Sequence, residues 1–389
     1  MDNQFHNSAV LRPKWHFTPA KGWMNDPNGP VFYQGEYHLF FQHDPDALVW
    51  NTMHWGHARS KDLIHWEQLP IALFPNEQGV IYSGCAFVDE ENVSGFGSKA
   101  SPALLLFYTS HNMQTMREMQ CLAYTLDCVH FRKYAENPIV PGKDHTPARD
   151  PQVFRNTIRG GYSMLFTREN AVDFYHSEDL LHWEKSGEFV LAEYALHGMI
   201  ECPCMFKAEV EETEGGKNEK YVLLLSMDVP DTEFGKFPEE ALPHHRTMQY
   251  FTGMFDGSSF AVDKEQNKVL LVDYGPDFYA GTIFANVKDT ILISWLGDFS
   301  EGARKTPTEQ EGFRGILSYP RKLTLVRTED GYRLHHEFFP EPGCFLKEPD
   351  HGITYTKSED EVILQDGCVR EIVRNDGLLP ITAYTWYNK

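Results

Sequence analysis

One short block recurs along this chain and limits the folds open to it. Ser60-Lys61-Asp62-Leu63-Ile64-His65-Trp66 returns as Thr125-Leu126-Asp127-Cys128-Val129-His130-Phe131, and again as Ser177-Glu178-Asp179-Leu180-Leu181-His182-Trp183. A weaker copy, Phe255-Asp256-Gly257-Ser258-Ser259-Phe260, keeps the aromatic four residues after the aspartate. Copies lie roughly 50–80 residues apart, the size of a repeated supersecondary unit, so a propeller or solenoid is the first reading. Asp62, Asp127 and Asp179 read as structural, bridging turns inside each unit. Short apolar or alternating runs at 31–41, 103–109, 119–125, 162–167, 221–226, 268–273 and 290–296 read as strands. Gly, Pro, Asn and Asp clusters separate them. No long 3.6-residue period competes, and the stretch 113–120 reads as a decorated loop.

A second recurrence brings chemistry. Asn25-Asp26-Pro27-Asn28-Gly29, Arg149-Asp150-Pro151-Gln152-Val153-Phe154 and Glu201-Cys202-Pro203-Cys204-Met205-Phe206 each place an acid within two positions of a proline, with an apolar strand following. One Asp-Pro pair is an ordinary turn opener. Three at this spacing read as one unit reused, each copy delivering a carboxylate to the same place. Inner strands entering at Asp26, Ser83, Asp150, Glu201 and near Phe278 give five blades, and residues at equivalent strand starts converge at one mouth of a channel. Several carboxylates with no obvious nucleophilic Ser or Cys point towards glycoside cleavage.

Composition narrows the partners. The 389 residues carry a formal charge of −21 and no basic cluster, which disfavours nucleic acid and anionic membrane. Residues 1–12 are polar and lack the apolar core of a secretory leader. Seven cysteines form no disulfide-scaffold pattern, so a cytoplasmic location with free thiols is expected. Cys202 and Cys204 stand two apart on a strand, facing the same way. No other Cys/His pair has ligand spacing and His244-His245 reads as a loop pair, so no metal and no cofactor is expected. Residues 1–340 read as the propeller and 341–389 as a short β appendage of three strands near 362–364, 369–373 and 381–386. Its apolar Ile381, Tyr384, Trp386 and Tyr387 are too many for a solvated tail, and are expected to dock on the propeller or on a second copy in a homo-oligomer.

Trp23-Met24-Asn25-Asp26-Pro27-Asn28-Gly29, Tyr82-Ser83-Gly84, Arg149-Asp150-Pro151, Glu201-Cys202-Pro203 and Asp277-Phe278-Tyr279-Ala280 occur in the order seen in glycoside hydrolase family 32, which the chain resembles from about His16 to Arg321. The resemblance implies an all-β, five-bladed propeller that hydrolyses terminal β-D-fructofuranosides, such as sucrose and short fructo-oligosaccharides, with retention. By motif, Asp26 is the nucleophile, Glu201 the general acid/base and Asp150 a transition-state stabiliser. Substrate contacts are carried over to Asn25, Gln42, Trp50, Tyr82, Ser83, Arg149, Cys202, Tyr279 and Trp295. Arg149 is expected to keep the neighbouring Asp150 ionised. The chain departs from the family at Asp44, Cys204 and Ile200, and it has a short C-terminal segment where members carry a full β-sandwich. Fructosyl transfer at the same site, a non-catalytic sugar-binding propeller and a related arabinanase or xylosidase remain as alternatives.

Overall fold

The computed structural model describes residues 11–211, 218–297, 306–346 and 352–385. Its strands fall into antiparallel runs. The first is β1 (Gly22–Tyr33), β2 (Glu36–Asp44), β3 (His54–Ser60) and β4 (Trp66–Leu73); the second is β5 (Val80–Asp89), β6 (Ala103–Asn112), β7 (Arg117–Thr125) and β8 (Arg132–Lys133). The third is β9 (Ala148–Arg155), β10 (Tyr162–Arg168), β11 (Ala171–Ser177) and β12 (Glu184–Val190); the fourth is β13 (Met199–Glu211), β14 (Asn218–Asp228), β15 (Arg246–Phe255) and β16 (Phe260–Val262). Next come β17 (Tyr279–Ile283), β18 (Ile291–Leu296), the short β19 (Phe313–Arg314) and β20 (Ile316–Leu317), then β21 (Arg321–Thr328) and β22 (Gly331–Phe338). β17, β18, β21 and β22 pair in that order, and β13 joins them through parallel pairing with β21. Among the described residues no helix is long and apolar enough to cross a membrane.

The first strands stand side by side: β1 beside β5, β5 beside β9, β9 beside β13, β13 beside β17, and β17 beside β1 again. Just past β17, the Ala285 N–H donates to the Pro30 carbonyl of β1 and the Phe32 N–H to the Ala285 carbonyl. The core lies between neighbouring runs, so each central strand is buried on both faces. On β6, Leu104, Leu106 and Tyr108 pack towards the first run, while Leu105 and Phe107 pack towards the third. On β14, Val222 and Leu224 face one way and Leu223 and Leu225 the other. This is why these segments read as continuous apolar stretches rather than alternating ones.

The recurrent heptapeptide is the turn between third and fourth strands. Asp62 Oδ1 accepts the Ile64 and His65 N–H groups while its Oδ2 meets His65 Nδ1. Asp127 and Asp179 repeat those contacts with Val129 and His130, and with Leu181 and His182. Leu63, Cys128 and Leu180 take positive φ in the same place. Asp256 caps the corresponding β15–β16 turn through the N–H groups of Ser258 and Ser259.

Three expectations change. Residues 113–116 form a tight turn and Arg117 already belongs to β7, so the decorated loop is absent. Residues 268–273 are an irregular strap rather than a strand, tied to β15 by the Tyr250 N–H to the Leu270 carbonyl and the Val272 N–H to the Met248 carbonyl. The tail has four strands, β23 (Ile353–Lys357), β24 (Glu361–Asp366), β25 (Val369–Arg374) and β26 (Leu379–Tyr384), in one antiparallel sheet. This sheet packs on the chain's own body. Cys368, Val369 and Tyr384 join the core around Leu323 and Leu325, and Ile353, Leu364 and Val373 pack with Trp15, Tyr319 and Phe338. Trp386 and Tyr387 lie outside the described residues.

Candidate active site

Each of the five first strands carries one extra residue near its N-terminal end. Met24 and Pro27 face His43 and Phe41; Ile81 and Gly84 face Ser110 and Tyr108; Arg149 and Gln152 face Thr167 and Leu165. Glu201 and Cys204 face Ser226 and Leu224, and Tyr279 and Thr282 face Trp295 and Ile293. Three steps on the inner strand match two on its partner every time, which is a β-bulge, and a bulge re-aims the side chains it carries. Asp150, Cys202 and Ala280 take φ of 65°, 48° and 53° within it. Pro151 and Pro203 fit inside their bulges, where no ladder N–H is needed, and Pro27 closes the bulge of β1. At Gly84 a Cβ would sit 2.0 Å from the Phe107 carbonyl oxygen, so the Tyr82-Ser83-Gly84 bulge requires glycine. The bulge also breaks the alternation assumed for Cys202 and Cys204. Cys202 Sγ points among the carboxylates, while Cys204 packs in the core beside Gln152 and Thr282.

The bulges bring Asp26, Asp150 and Glu201 to one open cavity of about 580 Å³. Asp26 is fixed by the Ser83 hydroxyl donating to Oδ2 at 2.6 Å and the Asn25 amide donating to Oδ1 at 2.9 Å. Trp23 Nε1–H holds Asn25 Oδ1 in turn. Asp150 Oδ2 accepts the Cys202 N–H at 2.9 Å, and Cys202 Sγ lies 3.6 Å from both Asp150 Oδ2 and Asp26 Oδ2. Glu201 is gripped by three donors: Arg149 Nη1 on Oε1 at 3.1 Å, with Arg246 Nη1 at 3.0 Å and the Tyr279 hydroxyl at 2.8 Å on Oε2. Burial raises the Asp26 carboxyl, and the Glu201 charge adds to this against the Ser83 and Asn25 hydrogen bonds. Burial and the Glu201 and Asp26 charges push Asp150 up to about 8, with the Arg149 charge opposing. Arg149 was expected to keep Asp150 ionised, but its charge is outweighed by burial and by Glu201. Its guanidinium is committed to Glu118 and Glu201, so its help to Asp150 is through space and loses to burial.

Of the residues singled out from sequence, Asn25, Gln42, Trp50, Tyr82, Ser83 and Arg149 line the cavity with the three carboxylates. Cys202 lies beneath it. Tyr279 and Trp295 stand behind the wall, Tyr279 holding Glu201 and Trp295 packing on Trp23 and Tyr279 at ring separations of 6.0 and 6.4 Å. Sequence reasoning missed three lining residues, Trp23, Val49 and Arg246. It also missed Asp228, which anchors Arg246 Nη2 at 2.8 Å, and Glu118, which anchors Arg149. No local signal marked them, since Arg246 opens β15, Asp228 closes β14 and Glu118 is the second residue of β7. Among the described residues no three His, Cys, Asp or Glu side chains are grouped to hold a metal ion.

Residues 16–337 match the model described as the glycosyl hydrolases family 32 N-terminal domain. The chain belongs to glycoside hydrolase family 32. Its relatives include a levanase of Bacillus subtilis, 38% identical over 328 residues that make up 83% of this chain and 46% of the levanase. An invertase of Schizosaccharomyces pombe is 37% identical over 333 residues, 82% of this chain and 54% of the invertase. This family 32 chain thus spans about half the length of the curated relatives it matches. A solved exo-inulinase from Aspergillus awamori superposes with a TM-score of 0.82 at 24% identity, covering 98% of this chain and 94% of that one, and so shares its fold. The family match ends inside β22, leaving β23–β26 outside it.

Proposed function

We propose that this chain is a retaining β-fructofuranosidase built as a five-bladed propeller over about residues 1–340, with residues 341–389 as an appendage. The ring of β1, β5, β9, β13 and β17 supports the blade count. The single observation that carries the chemistry is the convergence of Asp26, Asp150 and Glu201 from three separate bulges on one cavity. Named relatives that are levanases, invertases and exo-inulinases support a terminal fructosyl unit as the group transferred.

In this reading Asp26, oriented by Ser83 and Asn25, attacks the anomeric carbon while the bond to the leaving oxygen breaks and Glu201 delivers its proton to that oxygen. The ester between Asp26 and the fructosyl unit is then opened by water, whose proton returns to Glu201. A buried group of three carboxylates retains a proton at neutral pH, since like charges this close do not all ionise. Asp150 accepts from fructosyl hydroxyls, contacts that strengthen as the ring flattens towards the oxocarbenium-like state. Trp50 and Tyr82, with ring centroids 5.8 Å apart, form the cavity's aromatic rim for the leaving sugar. All seven cysteines are free, which fits a reducing, cytoplasmic setting. The test is kcat/KM on sucrose, sucrose-6-phosphate, 1-kestose, inulin and levan, alongside Asp26→Asn. Turnover of at least one of these that disappears in a folded Asp26→Asn supports the reading. An inert wild-type protein on the whole panel refutes it.

A further inference from the structure

Behind the cavity wall lies a buried acid that the reaction does not use directly. Glu118 on β7 has its side chain only 2% exposed, and four donors converge on its two oxygens. Arg149 Nη2 lies 2.9 Å from Oε1 and Arg149 Nε donates to Oε2 at 3.0 Å. The Ala148 N–H donates to Oε2 at 2.7 Å, and His111 Nδ1 lies 3.2 Å from Oε1. The fork-on-fork contact fixes the plane of the guanidinium and leaves Nη1 pointing at Glu201. The same two strands brace the backbone beneath. The Asp150 N–H donates to Thr109 Oγ1, the Thr109 hydroxyl to Gln120 Oε1, and the Gln120 amide to the Ala148 carbonyl. His111 also carries the cavity wall, lying under Tyr82 with centroids 4.5 Å apart and planes 5° off parallel.

We propose that Glu118 is a positioning residue for the fructosidase reaction: it aims Arg149 at Glu201 and, by holding half of the guanidinium's charge, limits how strongly that charge bears on the catalytic carboxylates. The inference rests on the fructosidase reading above. Glu118 faces Arg149 and His111, with Tyr82 stacked beyond. Glu201 faces Arg149, Arg246 and Tyr279, with Asp26, Asp150 and Cys202 beside it and Asp228 on the far side of Arg246. Every partner of Glu118 is a donor, so Glu118→Gln places an amide N–H₂ against Arg149 Nη2 and His111. His111 can answer by presenting Nδ1 as acceptor; Arg149 cannot. The guanidinium then turns its whole charge on the site. An added positive field favours the ionised carboxylates, so they lose their protons at lower pH.

The experiment is the pH dependence of kcat and KM on sucrose for wild type, E118Q and E118D, with thermal melts of each. E118Q is expected to lose about tenfold or more in kcat with a smaller change in KM. Both limbs of its kcat/KM profile move to lower pH by about half a unit or more. E118D keeps the charge one methylene short, so its kcat falls while its limbs stay in the wild-type place. A cooperatively melting E118Q with wild-type kcat, or with a lower kcat and unmoved limbs, overturns the proposal. Should E118Q not fold, E118D decides: wild-type kcat, or limbs that move, overturns it. A wild-type protein inert on sucrose, 1-kestose and levan refutes the fructosidase reading instead, whereas an active wild type with unmoved E118Q refutes this inference alone.

Discussion

Asp150 is the residue at which stability and chemistry conflict. Its carboxyl is held up near 8 in the folded chain against an ordinary 3.8, by burial first and by the Glu201 charge next. Between those values the folded state binds the proton that the unfolded state has released, so this group's contribution to stability falls as pH rises from about 4 to about 8. Asp150→Asn keeps a residue that tolerates the positive φ and still accepts the Cys202 N–H. It is expected to melt on the order of a few degrees above wild type near pH 8, with the gain vanishing towards pH 4, while turnover collapses. Calorimetry at the two ends of that window checks it, and a gain that grows on acidification contradicts it. The three carboxylates were legible in sequence because each bulge is written as an acid beside a proline. Arg246, Asp228 and Glu118 were not, because they sit at the ends of β15, β14 and β7, where no local motif marks convergence on another strand's side chain.

At the scale of elements, the C-terminal sheet is tied to the body by a buried polar network. Arg321 on β21 donates from Nη1 to Asp273 at 2.8 Å and from Nε to Glu371 on β25 at 2.9 Å. His16 bridges Glu371 and Asp366 at 3.0 and 2.9 Å, and Asp366 also accepts the N–H groups of Lys14, Trp15 and His16. Burial alone would lower His16, but Asp366 and Glu371 lift it to about 9. Burial would raise Glu371, but Arg321 and His16 bring it down to about 2. The His16 contribution is therefore present in full below about 6.5 and lost as pH rises through about 9. The Glu371 contribution is present above about 4.5 and lost as pH falls through about 2. Glu371→Gln strips Arg321 and His16 of a shared buried charge and is expected to cost about 3–5 kcal/mol in urea unfolding. A loss below about 1 kcal/mol would show the network to be a bystander. Little of this tie was readable. His16 and Arg321 marked only the ends of a family likeness. β23 escaped notice because Ile353 is its one buried side chain, and the apolar run at 268–273 looked like a strand although it only straps β15.

For the whole molecule, the repeat spacing and the acid-Pro spacing agree because both count the same unit, one marking its inner bulge and the other its outer turn. That redundancy made the architecture legible while the packing partners were not. The C-terminal sheet supplies Glu371 to Arg321 and Tyr384 to the core around Leu296, so it is packed firmly on the body. Removing residues 353–389 is expected to abolish cooperative melting or solubility. A truncated chain that melts like the full one contradicts this. The most direct measurement of the central claim is a trapping experiment with Glu201→Gln and β-fructofuranosyl fluoride. Fluoride leaves without a proton, so Asp26 is still fructosylated, while loss of the base slows release of the ester. The account requires a protein heavier by one anhydrofructose unit, with the added mass on the peptide containing Asp26 and absent from Asp26→Ala/Glu201→Gln. Steady turnover of the fluoride by Glu201→Gln without any adduct, or an adduct on another residue, would contradict it.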